Sequence, residues 1–278
     1  MVEILKAILF GIVEGVTEWL PISSTGHLIL LNEFINLQVS DAFRSMFDVV
    51  IQLGAILAVI VLFFHKLNPF SPKKTGAEKK QTWDLWFKVI VAIIPSGIMG
   101  VLFDDWMDAH LHNGVVVSIA LIVYGIAFIL VERRNQNRLS GKYQTAQDVY
   151  SIGYVPALMI GLFQVLSLIP GTSRSGSTIL GGILIGVGRS AAAEFSFFMA
   201  IPTMVGASGI KGLKFLLSGV TATGSEIMIL VVGCVVSFIV SLLVIKGLME
   251  YVRKHSFASF GVYRILLGIV VLVYFLVK

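Results

Sequence analysis

The chemistry-bearing residues of this chain sit in two short stretches. Glu14 and Glu18 stand four positions apart in an otherwise apolar run, with Gly11 on the same stripe, so on a helix all three share one face. If that run lies in lipid, each ionised carboxylate costs on the order of 3 kcal/mol and the pair repels, so a divalent cation or a shared proton must compensate. The alternative is an interfacial amphipathic helix with both acids in water. One turn later, Ser23-Ser24-Thr25-Gly26-His27 offers three hydroxyls, a flexible backbone and an imidazole. A glycine-containing turn at a helix start exposes N–H groups to an anion, hydroxyls add donors, and His titrates near neutrality. The second stretch, Thr172-Ser173-Arg174-Ser175-Gly176-Ser177-Thr178, places an arginine between two apolar runs. A guanidinium there requires an anion, either a phosphate held bidentately or the carboxylate of Glu14, Glu18 or Glu194.

If the two stretches meet, they make a lipid phosphoesterase site. Arg174 and the phosphate-binding groups of Ser23, Thr25, Gly26, Ser173, Ser175, Gly176, Ser177 and Thr178 would grip the phosphates. Glu14 and Glu18 would hold a divalent cation, and His27 would manage protons. Ser24, His27 and a metal-bound water all remain acceptable as the attacking group.

These residues must be positioned by membrane helices. Of 278 residues, 56% are hydrophobic and 13% charged, and the mean hydropathy is +0.91; a soluble domain carries roughly 25% charged residues. Six apolar spans are expected: Val49–Phe64, Val89–Phe103, Val115–Val131, Phe195–Leu217, Ile227–Ile245 and Leu266–Val277. The net charge of +5 does not point to nucleic acid, because the basic residues gather in three short loops. These hold Lys66, Lys73, Lys74, Lys79, Lys80 and Lys88, then Arg133, Arg134, Arg138 and Lys142, then Lys246, Arg253 and Lys254. That is a positive-inside pattern, with the acidic turn Asp104–Asp108 outside and Lys211 and Lys214 against the trend. The single Cys234 can form no intramolecular disulfide and reads as packing.

The segments left over, Ile4–Leu37 and Val149–Gly188, resemble each other. Gly11-Ile-Val-Glu14 matches Gly161-Leu-Phe-Gln164, and Pro21-Ile-Ser-Ser-Thr-Gly-His27 matches Pro170-Gly-Thr-Ser-Arg-Ser-Gly-Ser177 with one residue of slip. By loop charge the first segment begins and ends outside and the second inside. The expected fold is therefore an all-α polytopic membrane protein, a single domain over 1–278 with inverted-topology repeats of about 1–131 and 149–278. Its two broken, re-entrant helix pairs should meet near the bilayer midplane.

At these motifs the sequence resembles the bacterial undecaprenyl-diphosphate phosphatases of the bacitracin-resistance type. Gly11 to His27 is similar to the family's E-x-x-x-E region with its serines and His, and Pro170 to Thr178 to its P-G-x-S-R-S-x-x-T signature. Phe47–Gly54 and Ala193–Phe197 are similar to two further family stretches. The resemblance implies an enzyme of the bacterial plasma (inner) membrane that hydrolyses a polyprenyl diphosphate lipid, undecaprenyl diphosphate, to the monophosphate and inorganic phosphate. That would recycle the carrier for cell-wall synthesis and confer bacitracin resistance. It also implies a divalent metal, Mg or Ca, a site open to the extracytoplasmic side, and essential roles for Glu14, Glu18, His27 and Arg174, with Ser24 as nucleophile or phosphate ligand.

Two rival readings differ from this one in the residues they require. The membrane acid-phosphatase superfamily is excluded because its nucleophilic His and following Asp are missing: His255 is the only His after Arg174, and no Asp follows Asp148. An anion or lipid-phosphate transporter or flippase would share the inverted repeats, yet would have no use for two carboxylates beside a phosphate cradle. Membrane lipids are the expected surroundings. A homodimer through the small-residue face of Gly182 and Gly186 competes with packing inside one chain.

Overall fold

The computed structural model describes residues 1–111, 113–139 and 146–277. Its helices are α1 (Val2–Thr17), α2 (Ser24–Phe34), α3 (Asp41–Leu62), α4 (Phe64–Leu67), α5 (Gly76–Leu111), α6 (Gly114–Leu139), α7 (Tyr154–Val165), α8 (Arg174–Leu184), α9 (Arg189–Leu217), α10 (Gly224–Lys254) and α11 (Ala258–Val277). Single 3-10 turns lie at Val149–Ser151 and Leu166–Leu168, and no strand occurs among the described residues. The protein is all-α. Among the described residues six helices, α3, α5, α6, α9, α10 and α11, are long and apolar enough to cross a bilayer; five contain an expected span whole, and α3 ends at Leu62, two residues short of the expected Phe64. They make the chain a multi-pass membrane protein.

The helices run past the expected spans, and this corrects two readings. The acidic stretch Asp104–Asp108 is not a turn but the end of α5. Of the expected basic loops, Lys79, Lys80 and Lys88 lie in α5, Arg133, Arg134 and Arg138 in α6, and Lys246, Arg253 and Lys254 in α10; Lys142 lies outside the described residues. Long charged side chains can leave the apolar layer without breaking the helix, so charge marks where lipid ends and not where the helix ends. Helix starts follow local capping: the Ser40 hydroxyl accepts from the Phe43 N–H, and Thr223 with Glu226 forms a capping box.

The four helices α1, α2, α7 and α8 have 16, 11, 12 and 11 residues. None can alone cross a hydrocarbon core that needs about 20 helical residues. Each of the first members packs across the chain: α1 lies on α10, and α7 lies on α5. Glycines permit both approaches. A Cβ at Gly11 would sit 2.7 Å from the Gly233 carbonyl oxygen, and one at Gly161 would meet the backbone of Ala92.

The core surrounds α8, whose residues Ser175–Ile183 are buried, and the middle of α9, where Phe195, Phe197 and Phe198 are buried. Gly182 faces Ala192 of the same chain, and Gly186 is a turn residue with φ 97°. Gly182 thus packs within the chain, and Gly186 serves the turn after α8. Cys234 is partly buried and packs against the core cluster around Phe43 and Phe47, as expected of a packing residue.

Candidate active site

The two chemistry-bearing stretches fold into one local geometry. Ser23 caps α2 and Ser173 caps α8, each with φ 73°, and among the described residues they are the only non-glycine positions with positive φ. The Ser23 hydroxyl accepts from the Gly26 N–H at 3.2 Å, and the Ser173 hydroxyl from the Gly176 N–H at 3.0 Å. The interval from Ser23 to Ser173 equals those from Gly11 to Gly161, from Glu14 to Gln164 and from Gly26 to Gly176. The expected slip is thus confined to the prolines, and it is Gly171, with φ 92°, that takes the place of Pro21. Under this register Arg174 occupies the place of Ser24.

α1 ends in time to aim its acids at the second turn. Its helical hydrogen bonding continues through Glu18, whose N–H donates to the Glu14 carbonyl at 3.0 Å, so both carboxylates remain on one face. Glu18 joins the two stretches: its Oε1 accepts from Arg174 Nη2 at 2.8 Å, and its Oε2 accepts from the Ser24 hydroxyl at 2.8 Å. The ion pair foreseen as an alternative for Arg174 is formed with Glu18, whereas Glu194 pairs with Lys66 at 2.6 Å. Ser175 Oγ lies 3.0 and 3.2 Å from the carbonyl oxygens of Glu18 and Leu20, within reach to donate to either.

Glu14 differs. Both of its carboxylate oxygens are buried and have no hydrogen-bond partner among the described residues. An orphaned carboxylate beside a second one suits a hard cation, which takes oxygen ligands and, in the case of Mg²⁺, is commonly held by one or two carboxylates with substrate phosphates and water. No group of three or more His, Cys, Asp or Glu able to hold a metal is found among the described residues, so a wholly protein-built cage is not what this site offers.

Around Arg174 the hydroxyls are engaged with the protein. Its Nη1 donates to the Ser196 carbonyl at 2.7 Å, and Ser196 Oγ lies 2.7 Å from Thr178 Oγ1. Thr178 and Ser177 also donate to the Arg174 carbonyl, at 2.8 and 3.1 Å. Arg174 Nε is buried without a partner among the described residues, and the guanidinium lies 5.7 Å from the ring of Trp19. Thr25, His27, Ser173 and Arg174 are the partly exposed members. Every residue expected in the site falls on these two turns or their flanking helices. Ser177 and Thr178, however, support the α8 start and do not face an open space.

Two residues escaped the sequence reading. Arg264 of α11 is buried, donating to the Pro21 carbonyl at 3.0 Å and the Gly171 carbonyl at 2.9 Å, equivalent positions of the two turns. Its signal was available, since an arginine in an apolar run asks for the same explanation as Arg174, but placing the last span at Leu266 left it outside. Tyr263, beside it, has its hydroxyl 2.7 Å from His27 Nε2, while His27 Nδ1 lies 2.7 Å from the Ser23 carbonyl. Nothing in the sequence brings Tyr263 to His27.

Comparison with known proteins places the whole chain beside one family. Residues 7–270 match the family model described as bacitracin resistance protein BacA. The chain is 59% identical over 278 residues to an undecaprenyl-diphosphatase of Streptococcus thermophilus, covering 100% of this chain and 95% of that protein. It is 58% identical over 271 residues to the undecaprenyl-diphosphatase of Enterococcus faecalis, covering 98% and 97%. A similar protein of the same name from Limosilactobacillus fermentum is 58% identical over 275 residues, covering 99% and 98%.

Proposed function

Because the chain belongs to the bacitracin resistance protein BacA family, we propose that it is an undecaprenyl-diphosphatase, an enzyme that converts undecaprenyl diphosphate to undecaprenyl phosphate and inorganic phosphate. The observation that carries this reading is the meeting of Ser24, Glu18 and Arg174, where one carboxylate binds a hydroxyl with one oxygen and a guanidinium with the other.

Ser24 would be the attacking group. Its hydroxyl already donates to Glu18, so Glu18 can take the proton as Oγ bonds to the terminal phosphorus. The bridging P–O bond then breaks, its electron pair leaves on the lipid phosphate, and water releases the phosphoryl group from Ser24. His27 is a poorer nucleophile here, because Nδ1 is held by the Ser23 carbonyl and Nε2 by Tyr263. Arg174 would exchange part of its pairing with Glu18 and Ser196 for phosphate oxygens, with Nε free to join. The N–H groups at the start of α2 and α8, with Ser23, Thr25, Gly26, Ser173, Ser175 and Gly176 around them, would line the phosphate side.

Glu14 and Glu18 would hold a divalent ion, Mg²⁺ or Ca²⁺, which when bound would neutralise phosphate charge. What supports this is the orphaned Glu14 carboxylate. The setting would be a bacterial plasma membrane, with the N-terminus and the site on the extracytoplasmic side. Cytoplasmic signal from a reporter fused before Met1 would overturn that orientation.

The test is phosphate release from undecaprenyl diphosphate by the purified full chain in detergent, with magnesium or a chelator, for wild type, Glu18→Gln and Arg174→Ala. Metal-dependent release abolished by both substitutions, with melting temperatures retained, is the expected result. No release from well-folded wild type under any metal would overturn hydrolysis and favour lipid-phosphate carriage.

A further inference from the structure

The hydrogen bonds of His27 fix more about its chemistry than its identity does. Nδ1 lies 2.7 Å from the Ser23 carbonyl oxygen, and a carbonyl can only accept, so Nδ1 carries a proton. In the neutral ring Nε2 is then the lone-pair nitrogen, and among the described residues the group placed to donate to it is the Tyr263 hydroxyl at 2.7 Å. The two rings are parallel to within 1° with centroids 5.8 Å apart, which leaves the phenol hydrogen free to lie along the lone pair.

The anchors differ in kind. Ser23 is the strained cap of α2, held at φ 73° by the turn, so the Nδ1 contact belongs to the backbone that builds the phosphate cradle. Tyr263 belongs to α11, where the neighbouring Arg264 donates to Pro21 and Gly171 and docks that segment against both turns. A phenol also suits both states of the ring. It donates to neutral Nε2, and once that nitrogen is protonated the same oxygen accepts from it. A side chain that could only donate, such as Lys, would have to leave when the ring gained its proton.

We propose that Tyr263 is a positioning residue for His27, holding Nε2 as the single atom through which the imidazole gains or loses a proton during phosphate-ester chemistry. This rests on reading His27 as a second proton-handling group of the site, beside the Glu18 carboxylate that takes the Ser24 proton. Ring orientation is then set at both nitrogens before substrate arrives, and Nε2 keeps a partner in either protonation state.

The experiment is a double-mutant cycle in the full chain, combining Tyr263→Phe and His27→Gln, read by phosphate release from undecaprenyl diphosphate and by ¹⁵N-histidine NMR in detergent. The His27 signals are identified by their loss in His27→Gln. Expected for Tyr263→Phe is a fall in kcat of roughly tenfold or more with KM within about twofold, at the low end of general acid–base effects. The same substitution should have little further effect in the His27→Gln background. In the spectrum Nε2 should move to the position of a free acceptor while Nδ1 stays protonated, a change that a purely structural role would not produce.

Three results would overturn the proposal: an unmoved Nε2 signal, full additivity of the two substitutions, or a Tyr263→Phe enzyme with unchanged kcat. If His27→Gln alone leaves kcat unchanged, the failure lies in the proton-handling reading of His27. If His27→Gln is impaired and Tyr263→Phe is not, that reading survives and the role of Tyr263 is refuted.

Discussion

At the scale of single residues, the site concentrates costs that only neighbours can offset. Ser23 and Ser173 hold φ 73° without being glycine, a conformation that costs of order 1–3 kcal/mol, and each recovers part of it by capping its helix. Replacing Ser173 by Ala keeps the strain and loses the cap, whereas Gly loses the cap and relieves the strain. Ser173→Ala should therefore destabilise by about 1 kcal/mol and Ser173→Gly by less, compared by thermal unfolding in one detergent. Equal losses would show that the cap does not operate at this turn. Glu14 is the second such residue, a buried carboxylate with no partner among the described residues. If a cation binds there, magnesium should raise the melting temperature of wild type but not of Glu14→Gln, since a ligand that binds only the native state stabilises by mass action. An equal rise in both would place the ion elsewhere.

Among the helices, close approach decides which pairs form. α7 can lie on α5 only because Gly161 has no side chain where it meets the Ala92 backbone, and α1 on α10 only because Gly11 and Gly15 approach the Gly233 and Ser237 carbonyls. Backbone cannot yield to a Cβ as a flexible side chain can. Gly161→Val should push α7 away from α5, lowering stability by about 1–3 kcal/mol and displacing the turn that follows. Loss of release with an unchanged melting temperature would contradict this, because the cost must fall on packing before it reaches the site. This scale also explains why charge misplaced the loops. Lys79, Lys80, Arg253 and Lys254 lie on helices because a long side chain reaches the interface while its backbone stays hydrogen bonded within the helix.

Across the whole molecule, one arginine holds the two halves in register. Arg264 donates to Pro21 and Gly171, the same position in each turn, and Ser175 reaches the carbonyls of Glu18 and Leu20 from the other half. Substituting Arg264 by Met would leave two buried carbonyls unpaired, each costing about 1–3 kcal/mol. The expected outcome is a large fall in melting temperature together with loss of release, even though the hydrogen bonds of Arg264 go to Leu121, Pro21 and Gly171 and not to Glu14 or Ser24. A stable, active Arg264→Met enzyme would show that the turns hold together without it. The short helices add to this bond by packing on distant partners, α1 on the long α10 and α7 on α5.

The division between sequence and tertiary structure follows from the range of the forces involved. The all-α membrane class, the six crossing helices and the two turns with Glu14, Glu18, Ser24, His27 and Arg174 could be read directly, because lipid solvation and helix periodicity act within some twenty residues. Local chemistry also foretold that Arg174 needs an anion. Which anion it holds in this state, Glu18, was decided by folding, as was the use of the buried Ser177 and Thr178 to support the start of α8. The roles of Arg264 and Tyr263 were hidden for the same reason: α11 lies more than two hundred positions from α2 along the chain. Only packing of α11 on α6 brings its hydrogen-bond donors to the turns, and a hydrogen bond acts over about 3 Å whatever the separation in sequence.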